Sequence, residues 1–255
     1  MTEEAQSGGN LTQVVRVGDS VRRTAGPHTP TIQRLLAHVR NAGVTWVPEP
    51  RGYDDQGREV LSFIEGEVPH SMPAWVWSEA VLTDVARALR QWHAATASFD
   101  RTGGVWGLPA RVPDEVVCHC DFAPYNCVFR EGRLVGAIDF DLCAPGPRLW
   151  DLAYTSYRFV PLMPPVDAAG VGPGERSPFP WRECLERLET FLAAYAGAGE
   201  APTYSSADVI RATAERLVAI ADWTDRHVAS TGNPALAGHG AMYLGHSAWL
   251  LRNVG

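Results

Sequence analysis

Three residues with oxygen-bearing side chains, Asp121, Asn126 and Asp139, lie in one short stretch near the middle of the 255-residue sequence. A carboxylate can orient an attacking hydroxyl group and accept its proton, and carboxylate and amide oxygens are ligands that hold Mg²⁺ on phosphate groups. Phosphoryl transfer needs a set of this kind. Any one of these residues alone would be interpreted as part of a turn or a strand end, but the ordered set favours chemistry.

Short strands surround these three residues. The alternation of apolar and polar side chains predicts strands at residues 115–118, 127–129 and 134–140, with a turn at 130–133. Side chains at the ends of neighbouring strands can converge. The predicted strands therefore bring the oxygen-bearing side chains towards one place.

The order of the other predicted elements indicates an α+β fold with two lobes. In the first part, strands alternate with one helix that begins at Thr29-Pro30 and ends before Gly43. The other predicted strands are residues 13–17, 20–23 and 58–64, and the later helices are residues 75–97, 181–196, 206–229 and 235–251. We expect a small N-terminal lobe at residues 1–64, a linker at 65–72 and a larger, mainly helical lobe at 73–255.

The spacing of the central polar residues resembles a known motif. Asp121 and Asn126 reproduce the Asp-x-x-x-x-Asn of a kinase catalytic loop, and His119 lies two residues before the aspartate. Further motifs are IDFD at residues 138–141, PGP at 145–147 and WDLA at 150–153. With these motifs the chain resembles the aminoglycoside phosphotransferase and choline kinase-like family, which is related to the protein kinases. The resemblance implies a bilobal protein-kinase-like fold, with a small antiparallel sheet and one helix in the N-terminal lobe.

The resemblance also implies a role for each residue of the motif. Asp121 would be the catalytic base, and Asn126 and Asp139 would bind Mg²⁺. We group His119 with Asp121 in the catalytic loop, as a residue that supports the loop through a hydrogen bond and is not the base. Asp141 has two possible roles. It contacts the metal or the substrate, or it only braces the loop.

The same resemblance implies that the N-terminal lobe binds a nucleoside triphosphate, ATP or GTP. Residues 61–66 resemble the hinge between the lobes, and backbone groups of Ser62, Phe63 and Ile64 would hold the adenine. Gly8 and Gly9 resemble the glycine-containing loop that covers the phosphates.

The chain contains no lysine, so all 22 of its basic residues are arginines. Kinase-like folds place a lysine on the third strand, where it reaches the phosphates and pairs with a glutamate of the helix. Strand alternation favours Arg23 as the replacement, with Arg22 as the second candidate. No Asp or Glu occurs at residues 20–48, so we expect an arginine without an acidic partner and Gln33 as the nearest polar substitute. Weakened use of ATP, a different phosphate donor and binding without catalysis all stay open.

The acceptor is the least defined part of the predicted site. Asp222 and Asp225 lie beside Trp223 in a predicted helix. Two interpretations stay open, a pocket for a small-molecule acceptor and a solvated helix face. Similarity of fold does not transfer a substrate from one protein to another.

Composition restricts the classes of partner and the location. The net charge of −7 disfavours binding to nucleic acid and to anionic membranes. No stretch of about 18 apolar residues is present, so no membrane span is expected. The polar N-terminal segment lacks the apolar core of a signal peptide, which favours a cytoplasmic location.

Four residues, Cys118, His119, Cys120 and Cys127, suggest a zinc-dependent hydrolase, because thiols and imidazoles are good Zn²⁺ ligands. However, alternation along a strand sends the two thiols of Cys118 and Cys120 to one face and the imidazole of His119 to the other. Buried free thiols that pack as small apolar groups are therefore the expected state.

The sequence thus favours a Mg²⁺-dependent phosphotransferase that moves the γ-phosphoryl group of ATP or GTP to a hydroxyl of a small molecule, such as an antibiotic or a metabolite. The alternative is a catalytically weak or inactive kinase-like protein that sequesters a ligand and so protects the cell. The missing lysine and glutamate motivate this alternative. The oligomeric state cannot be predicted from the sequence.

Overall fold

Residues 4–6, 14–69 and 71–254 are described by the computed structural model. The chain divides into two compact units, residues 1–148 and residues 149–255. The predicted lobe boundary at residues 65–72 stays a prediction, because a division of the chain into compact units does not identify the hinge between lobes.

The first unit begins with a five-stranded antiparallel sheet. Its strands are β1 (Glu4–Gln6), β2 (Val14–Val17), β3 (Ser20–Arg23), β4 (Pro50–Tyr53) and β5 (Glu59–Ser62), in the spatial order β1-β2-β3-β5-β4. Gly18 follows β2 with φ of +63°, and Gly57 precedes β5 with φ of +73°. Glycine adopts these values without steric cost, so both turns can be tight. Asp54 closes the second turn, because its Oδ1 accepts hydrogen bonds from the N–H groups of Gln56 and Arg58 at 3.0 and 2.9 Å.

Strand β5 lies between β3 and β4, although β4 precedes it in the chain. In the resulting register Val21 lies opposite Leu61, and Arg23 lies opposite Glu59. Side chains directly opposite each other in an antiparallel pair are on the same face of the sheet. The register therefore places an arginine beside a carboxylate that is far away in the sequence.

Helix α1 (Thr29–Asn41) packs against β4. Pro30 is in its first turn, where a missing N–H costs nothing, and Gly43 follows its end with φ of +92°. Its apolar face is fully buried and consists of Ile32, Leu35, Leu36 and Val39. Each such side chain contributes about 1.5–3 kcal/mol when it leaves water. The predicted helix in this part of the chain is confirmed.

The predicted helix at residues 75–97 consists of two elements. A 3₁₀ turn (Ala74–Trp77) is followed by α2 (Glu79–Thr96). Ser78 between them is extended, and its Oγ accepts a hydrogen bond from the N–H of Val81 at 3.3 Å. Because an N-cap serine satisfies a free N–H of the first turn, α2 begins after it.

Short strands form the rest of the first unit. They are β6 (Val116–Cys118), β7 (Cys127–Arg130), β8 (Arg133–Ala137) and β9 (Ala144–Gly146). Strands β7 and β8 form a hairpin, and β6 pairs antiparallel with β9. The predicted strand at residues 134–140 was too long, because Asp139 has a left-handed backbone with φ of 60°. Strand β9 was not predicted, since its sequence, Ala-Pro-Gly, has no strand pattern.

The segment that follows β5 is attached to the hairpin. Glu67 and Phe129 exchange two backbone hydrogen bonds, both of 2.8 Å. At Gly66, where φ is +153°, a Cβ atom would lie 2.5 Å from the carbonyl oxygen of Phe129. Only glycine fits this approach, so the proposed linker is held against β7.

The second unit is helical. Its helices are α3 (Arg148–Phe159, which begins one residue before the unit), α4 (Trp181–Ala196), α5 (Ser206–Thr231) and α6 (His239–Arg252). Ser205 and Asp208 form a capping box at the start of α5. Helix α6 begins later than predicted, because Gly238 before it is left-handed with φ of 81°. Within the described residues, no helix is both long enough and apolar enough to cross a membrane.

A buried hydrogen bond joins α3 and α6 inside the second unit. Tyr157 Oη and His246 Nδ1 are 2.9 Å apart, and neither side chain is exposed to solvent. Burial lowers the pKa of His246 to about 4, and the positive charge of Arg176 acts in the same direction. The folded protein therefore keeps this imidazole neutral under mildly acidic conditions.

We expect the free energy of unfolding to fall as the pH decreases from about 6.5 to about 4. In this interval the unfolded chain binds a proton at His246 and the folded chain does not, so the stability that is present above the unfolded pKa is lost. The shift from 6.5 to about 4 corresponds to about 3 kcal/mol. Urea unfolding at about pH 7 and about pH 5 measures the loss. The His246→Gln variant, which cannot titrate, should show a weaker pH dependence, and an unchanged dependence would contradict the assignment.

Candidate active site

The segment between β6 and β7 orients a carboxylate through both of its oxygens. A 3₁₀ turn (Pro124–Asn126) folds the chain back, and Cys120 before it is left-handed with φ of 65°. Tyr125 Oη donates a hydrogen bond to Asp121 Oδ1 at 2.7 Å, and Asn126 Nδ2 donates to Asp121 Oδ2 at 2.8 Å. Asn126 Nδ2 also donates to the backbone oxygen of Asp121 at 3.0 Å. The carboxylate of Asp121 therefore has a fixed direction.

His119 lies beneath this loop. Its Nδ1 accepts a hydrogen bond from the N–H of Asp121 at 3.3 Å, which is a contact of the predicted supporting kind. The ring is buried and packs against Trp92, Phe122 and Phe140, with centroids 6.3, 5.3 and 4.8 Å away. This burial agrees with a supporting role for the ring, which stays a prediction.

The β7–β8 hairpin brings Asn126 and Asp139 to the same end. The N–H of Ile138 donates to the backbone oxygen of Asn126 at 2.9 Å, and Asp139 follows directly. The left-handed backbone at Asp139 is costly for a non-glycine residue, and such strain is concentrated at functional sites. The Asp139 side chain is 49% exposed. Desolvation by the surrounding protein, followed by the negative charge of Asp141, raises the pKa of its carboxyl group.

These two side chains carry oxygen atoms of the kind that binds Mg²⁺. Because Nδ2 of Asn126 is engaged by Asp121, the amide Oδ1 faces away from that carboxylate. Mg²⁺ is usually held by one or two protein oxygens together with phosphate oxygens and water, and Asn126 Oδ1 and Asp139 supply such a pair. In the described part of the chain, no three His, Cys, Asp or Glu side chains are grouped as a metal site.

The guanidinium of Arg23 connects the sheet to this end of the hairpin. Its Nε donates to Glu59 Oε2 at 2.5 Å, and its Nη2 donates to Asp141 Oδ1 at 2.5 Å. Its Nη1 lies 3.9 Å from Asp139 Oδ1. Burial lowers the pKa of Arg23, but the carboxylates of Asp141 and Glu59 outweigh it and raise the pKa above the usual value. The arginine is therefore a buried and permanent positive charge.

The expectation that this arginine lacks an acidic partner is wrong. Glu59 is fully buried and lies directly opposite Arg23 in the sheet. The partner comes from β5 and not from the helix, so it lies outside the segment in which a helix glutamate was sought. Gln33 of α1 donates to Glu59 Oε1 at 2.7 Å, and its own Oε1 accepts from the N–H of Gly52 at 3.0 Å. The predicted polar substitute on the helix thus contacts the glutamate and not the arginine.

Arg22, the second candidate, has different neighbours. Its Nη1 donates to Ser20 Oγ at 2.6 Å, and its Nε lies 3.8 Å from Asp54 Oδ2. Only Arg23 is therefore beside Asp139 and Asp141.

The stretch at Ser62, Phe63 and Ile64 has two backbone donors already in use. The N–H of Ser62 donates to the oxygen of Glu49 at 2.9 Å, and the N–H of Phe63 donates to the oxygen of Asp19 at 2.8 Å. A base bound here would contact carbonyl groups or Ile64. Gly8 and Gly9, the predicted phosphate loop, lie outside the described residues.

The predicted acceptor residues lie on α5 in the second unit. Asp222 Oδ2 accepts from Arg226 Nη2 at 2.6 Å, and both side chains are exposed. The carboxylate of Asp225 faces Gly240 of α6 so closely that a Cβ atom there would collide with it. Trp223 stacks on His227, at 4.9 Å between centroids. Asp222 thus takes part in a helix-surface ion pair, while Asp225 packs against the neighbouring helix.

Sequence reasoning missed three residues of this site, Glu59, His28 and Tyr125. His28 Nε2 lies 3.2 Å from Asp141 Oδ1, so that Asp141 is between two basic groups. Tyr125 lies inside the recognised motif, and its spacing of four residues from Asp121 was the available signal. Glu59 and His28 become neighbours of the site only through the order of the strands and the start of α1.

The fold that these elements form is protein-kinase-like. Three solved structures with this fold match nearly the whole chain. One is a choline/ethanolamine kinase family protein from Mesorhizobium loti, with a TM-score of 0.65 and 18% identity over 98% of this chain and 88% of that chain. Another is the macrolide 2'-phosphotransferase of Brachybacterium faecium, with a TM-score of 0.66 and 16% identity over 95% of this chain and 92% of that chain. The third is the streptomycin–ATP ternary complex of APH(2'')-IIa, with a TM-score of 0.57 and 15% identity over 99% of this chain and 91% of that chain.

In sequence, residues 100–186 match the model of the APH family, described as the phosphotransferase enzyme family. This segment contains Asp121, Asn126, Asp139 and Asp141. The resemblance to the aminoglycoside phosphotransferase and choline kinase-like family is confirmed, and so is the predicted bilobal α+β fold class.

One curated relative is the trifolitoxin immunity protein of Rhizobium leguminosarum bv. trifolii. It is 39% identical over 146 residues, which are 54% of this chain and 55% of the relative. The match therefore spans about half the length of each protein.

Proposed function

We propose that this protein is a Mg²⁺-dependent phosphotransferase that moves the γ-phosphoryl group of ATP or GTP to a hydroxyl of a small molecule. The observation that carries the proposal is the carboxylate of Asp121, which is oriented by Tyr125 and Asn126 within the segment that matches the phosphotransferase family. Asp139 and Arg23 add a metal ligand and a positive charge next to the same loop.

Asp121 acts on the acceptor. A carboxylate can accept about four hydrogen bonds, and those from Tyr125 and Asn126 hold the two oxygens of Asp121 in a fixed direction. An acceptor hydroxyl that donates to Asp121 is held in position for attack and transfers its proton to this carboxylate. Because the two donors fix the side chain beforehand, little reorganisation is needed when the acceptor binds.

The donor side is formed by Asn126, Asp139 and Arg23. Bound Mg²⁺ would neutralise the negative charge that develops on the phosphate oxygens. Asn126 Oδ1 and the Asp139 carboxylate would hold this ion. Arg23 places Nη2 on Asp141 and Nη1 beside Asp139, and a planar guanidinium can bind two phosphate oxygens.

Both donor and acceptor classes are consistent with the relatives. One structural neighbour is a ternary complex with streptomycin and ATP, and others are kinases or phosphotransferases named for small molecules. We therefore place an antibiotic-like or metabolite-like hydroxyl compound at the acceptor site, and the cytoplasm stays the proposed location. The roles of Asp222 and Asp225 in holding the acceptor stay a prediction.

A screen for transfer of the γ-phosphoryl group tests the proposal. Purified protein with Mg²⁺ and either labelled ATP or labelled GTP is incubated with aminoglycosides, macrolides, amino alcohols, nucleosides and Ser/Thr peptides. We expect label on a small molecule and none on the peptides. If no acceptor of any class is labelled above the rate of the Asp121→Asn variant, the proposal is wrong.

A second candidate function is sequestration of a toxic compound without chemistry. Two observations favour it, the carboxylates that surround the Arg23 guanidinium and the similarity to an immunity protein. Thermal-shift titrations separate the two functions. A shift with a toxic compound but with neither MgATP nor MgGTP, and recovery of that compound without added mass, would favour sequestration.

A further inference from the structure

Glu59 is a fully buried carboxylate in the sheet of the first unit. A charge in such surroundings persists only if it is paired and its lone pairs are hydrogen-bonded. Oε2 accepts from Arg23 at 2.5 Å, and Oε1 accepts from Gln33 at 2.7 Å. Gln33 is fixed in turn by the N–H of Gly52 at 3.0 Å. Groups from β3, α1 and β4 therefore determine where this carboxylate lies.

The contact with Glu59 determines the direction of the Arg23 fork. Because a guanidinium is planar and rigid, fixing Nε also fixes the directions of Nη1 and Nη2. Nη2 reaches Asp141 at 2.5 Å, and Nη1 lies 3.9 Å from Asp139, the proposed Mg²⁺ ligand. Glu59 thus contacts the Nε side of the guanidinium, while the two Nη atoms face the proposed donor side of the site.

Stability alone is a weak reason for this arrangement. A buried ion pair can often be replaced by apolar residues of similar volume without loss of stability. Here the pair has a third partner, Gln33, and the far end of its cation contacts Asp141 and lies near Asp139, in the proposed metal-binding motif. The position and the direction of the pair both suggest a function.

We propose that Glu59, held by Gln33, is a positioning residue that aims Arg23 at the phosphate groups of the nucleotide. The proposal rests on the proposed function, since it assumes a nucleotide on the donor side. It also explains how a chain without lysine keeps a directed positive charge there. The acidic partner has moved from the helix to strand β5.

Calorimetric titration of MgATP and of adenosine tests this role with wild-type protein and Glu59→Gln. Adenosine carries the base and ribose but no phosphate, so it does not depend on the direction of Arg23. We expect MgATP to bind about 10- to 100-fold more weakly to Glu59→Gln, the cost of a lost hydrogen bond to a charged group, and adenosine to bind as before. Asp84→Asn is the matched control, because it removes a carboxylate that pairs with the exposed Arg133 at 2.7 Å and that the proposed site does not use. It should change neither affinity.

Each outcome decides the question. Unchanged MgATP affinity in Glu59→Gln, or equal weakening of MgATP and adenosine, would overturn the positioning role. If Glu59→Gln does not fold, Gln33→Met serves instead, because it keeps the ion pair and removes only the contact with Oε1, and selective weakening of MgATP is again expected. Wild-type protein that binds MgATP with this dependence but phosphorylates no acceptor would contradict the proposed function and leave the role of Glu59 standing. Failure of the wild type to bind MgATP would overturn both.

Discussion

Asp121→Asn should lower turnover by about two to four powers of ten, the usual contribution of a positioned general base. The carboxamide cannot accept the proton of the acceptor hydroxyl. It also places an N–H₂ group opposite one of two donors, Tyr125 Oη or Asn126 Nδ2, so one of the present hydrogen bonds is lost. Affinity for MgATP should change less than turnover, because the proposed donor side contacts Asp121 only through Asn126.

Tyr125→Phe is the control for this variant. It removes the donor at 2.7 Å from Asp121 Oδ1 and keeps the carboxylate. We expect turnover to fall by about tenfold or less, the size of one net hydrogen bond. Steady-state kinetics with the acceptor found by the screen measures both variants. Near wild-type turnover in Asp121→Asn would remove this residue from the mechanism.

Of the single substitutions considered, Arg23→Met should lower the free energy of unfolding the most. It leaves Glu59 buried with one remaining partner, Gln33, and such an uncompensated carboxylate costs about 3–5 kcal/mol. The cost of leaving Asp141 without Arg23 is smaller, because Asp141 is partly exposed and keeps its contact with His28 at 3.2 Å. Urea unfolding followed by tryptophan fluorescence gives the change in free energy.

The double variant Arg23→Met with Glu59→Met identifies the cause. When both charges are replaced by apolar side chains of similar length, the desolvation cost disappears with the pair. We therefore expect the double variant to recover most of the stability that the single variant loses. A double variant as unstable as Arg23→Met would show that packing of the arginine stem, and not the unpaired charge, is responsible.

The candidate catalytic segment could be predicted because it is local. Asp121 and Asn126 are five positions apart in one loop, and a two-strand hairpin carries the chain to Asp139. The separation of these residues along the sequence therefore determines how close they lie in the folded protein. Helix α1 was predictable for the same reason. Its proline, its apolar face and the glycine beyond its end all lie in one short segment of the sequence.

The partner of Arg23 could not be predicted in this way. Glu59 becomes its neighbour because β5 inserts between β3 and β4. Pairing of strands that are not consecutive depends on the energy of the whole sheet. The residue types at positions 23 and 59 therefore do not reveal that the two strands pair. Gln33 was recognised as a polar residue near the site, but its actual contact needed the same register.

In the proposed donor site, Arg23 replaces the lysine of kinase-like folds, which changes the expected response of the site to alkali. An ammonium group surrounded by protein can lose its proton and with it its hold on phosphate, whereas a guanidinium keeps its charge throughout the pH range in which proteins stay folded. The two carboxylates that contact Arg23 reinforce this by raising its pKa. A donor site built in this way has no ionisation of its cationic anchor that could switch it off under basic conditions. Amine-reactive nucleotide probes, which label kinases through their lysine, would also have no side-chain target in this protein.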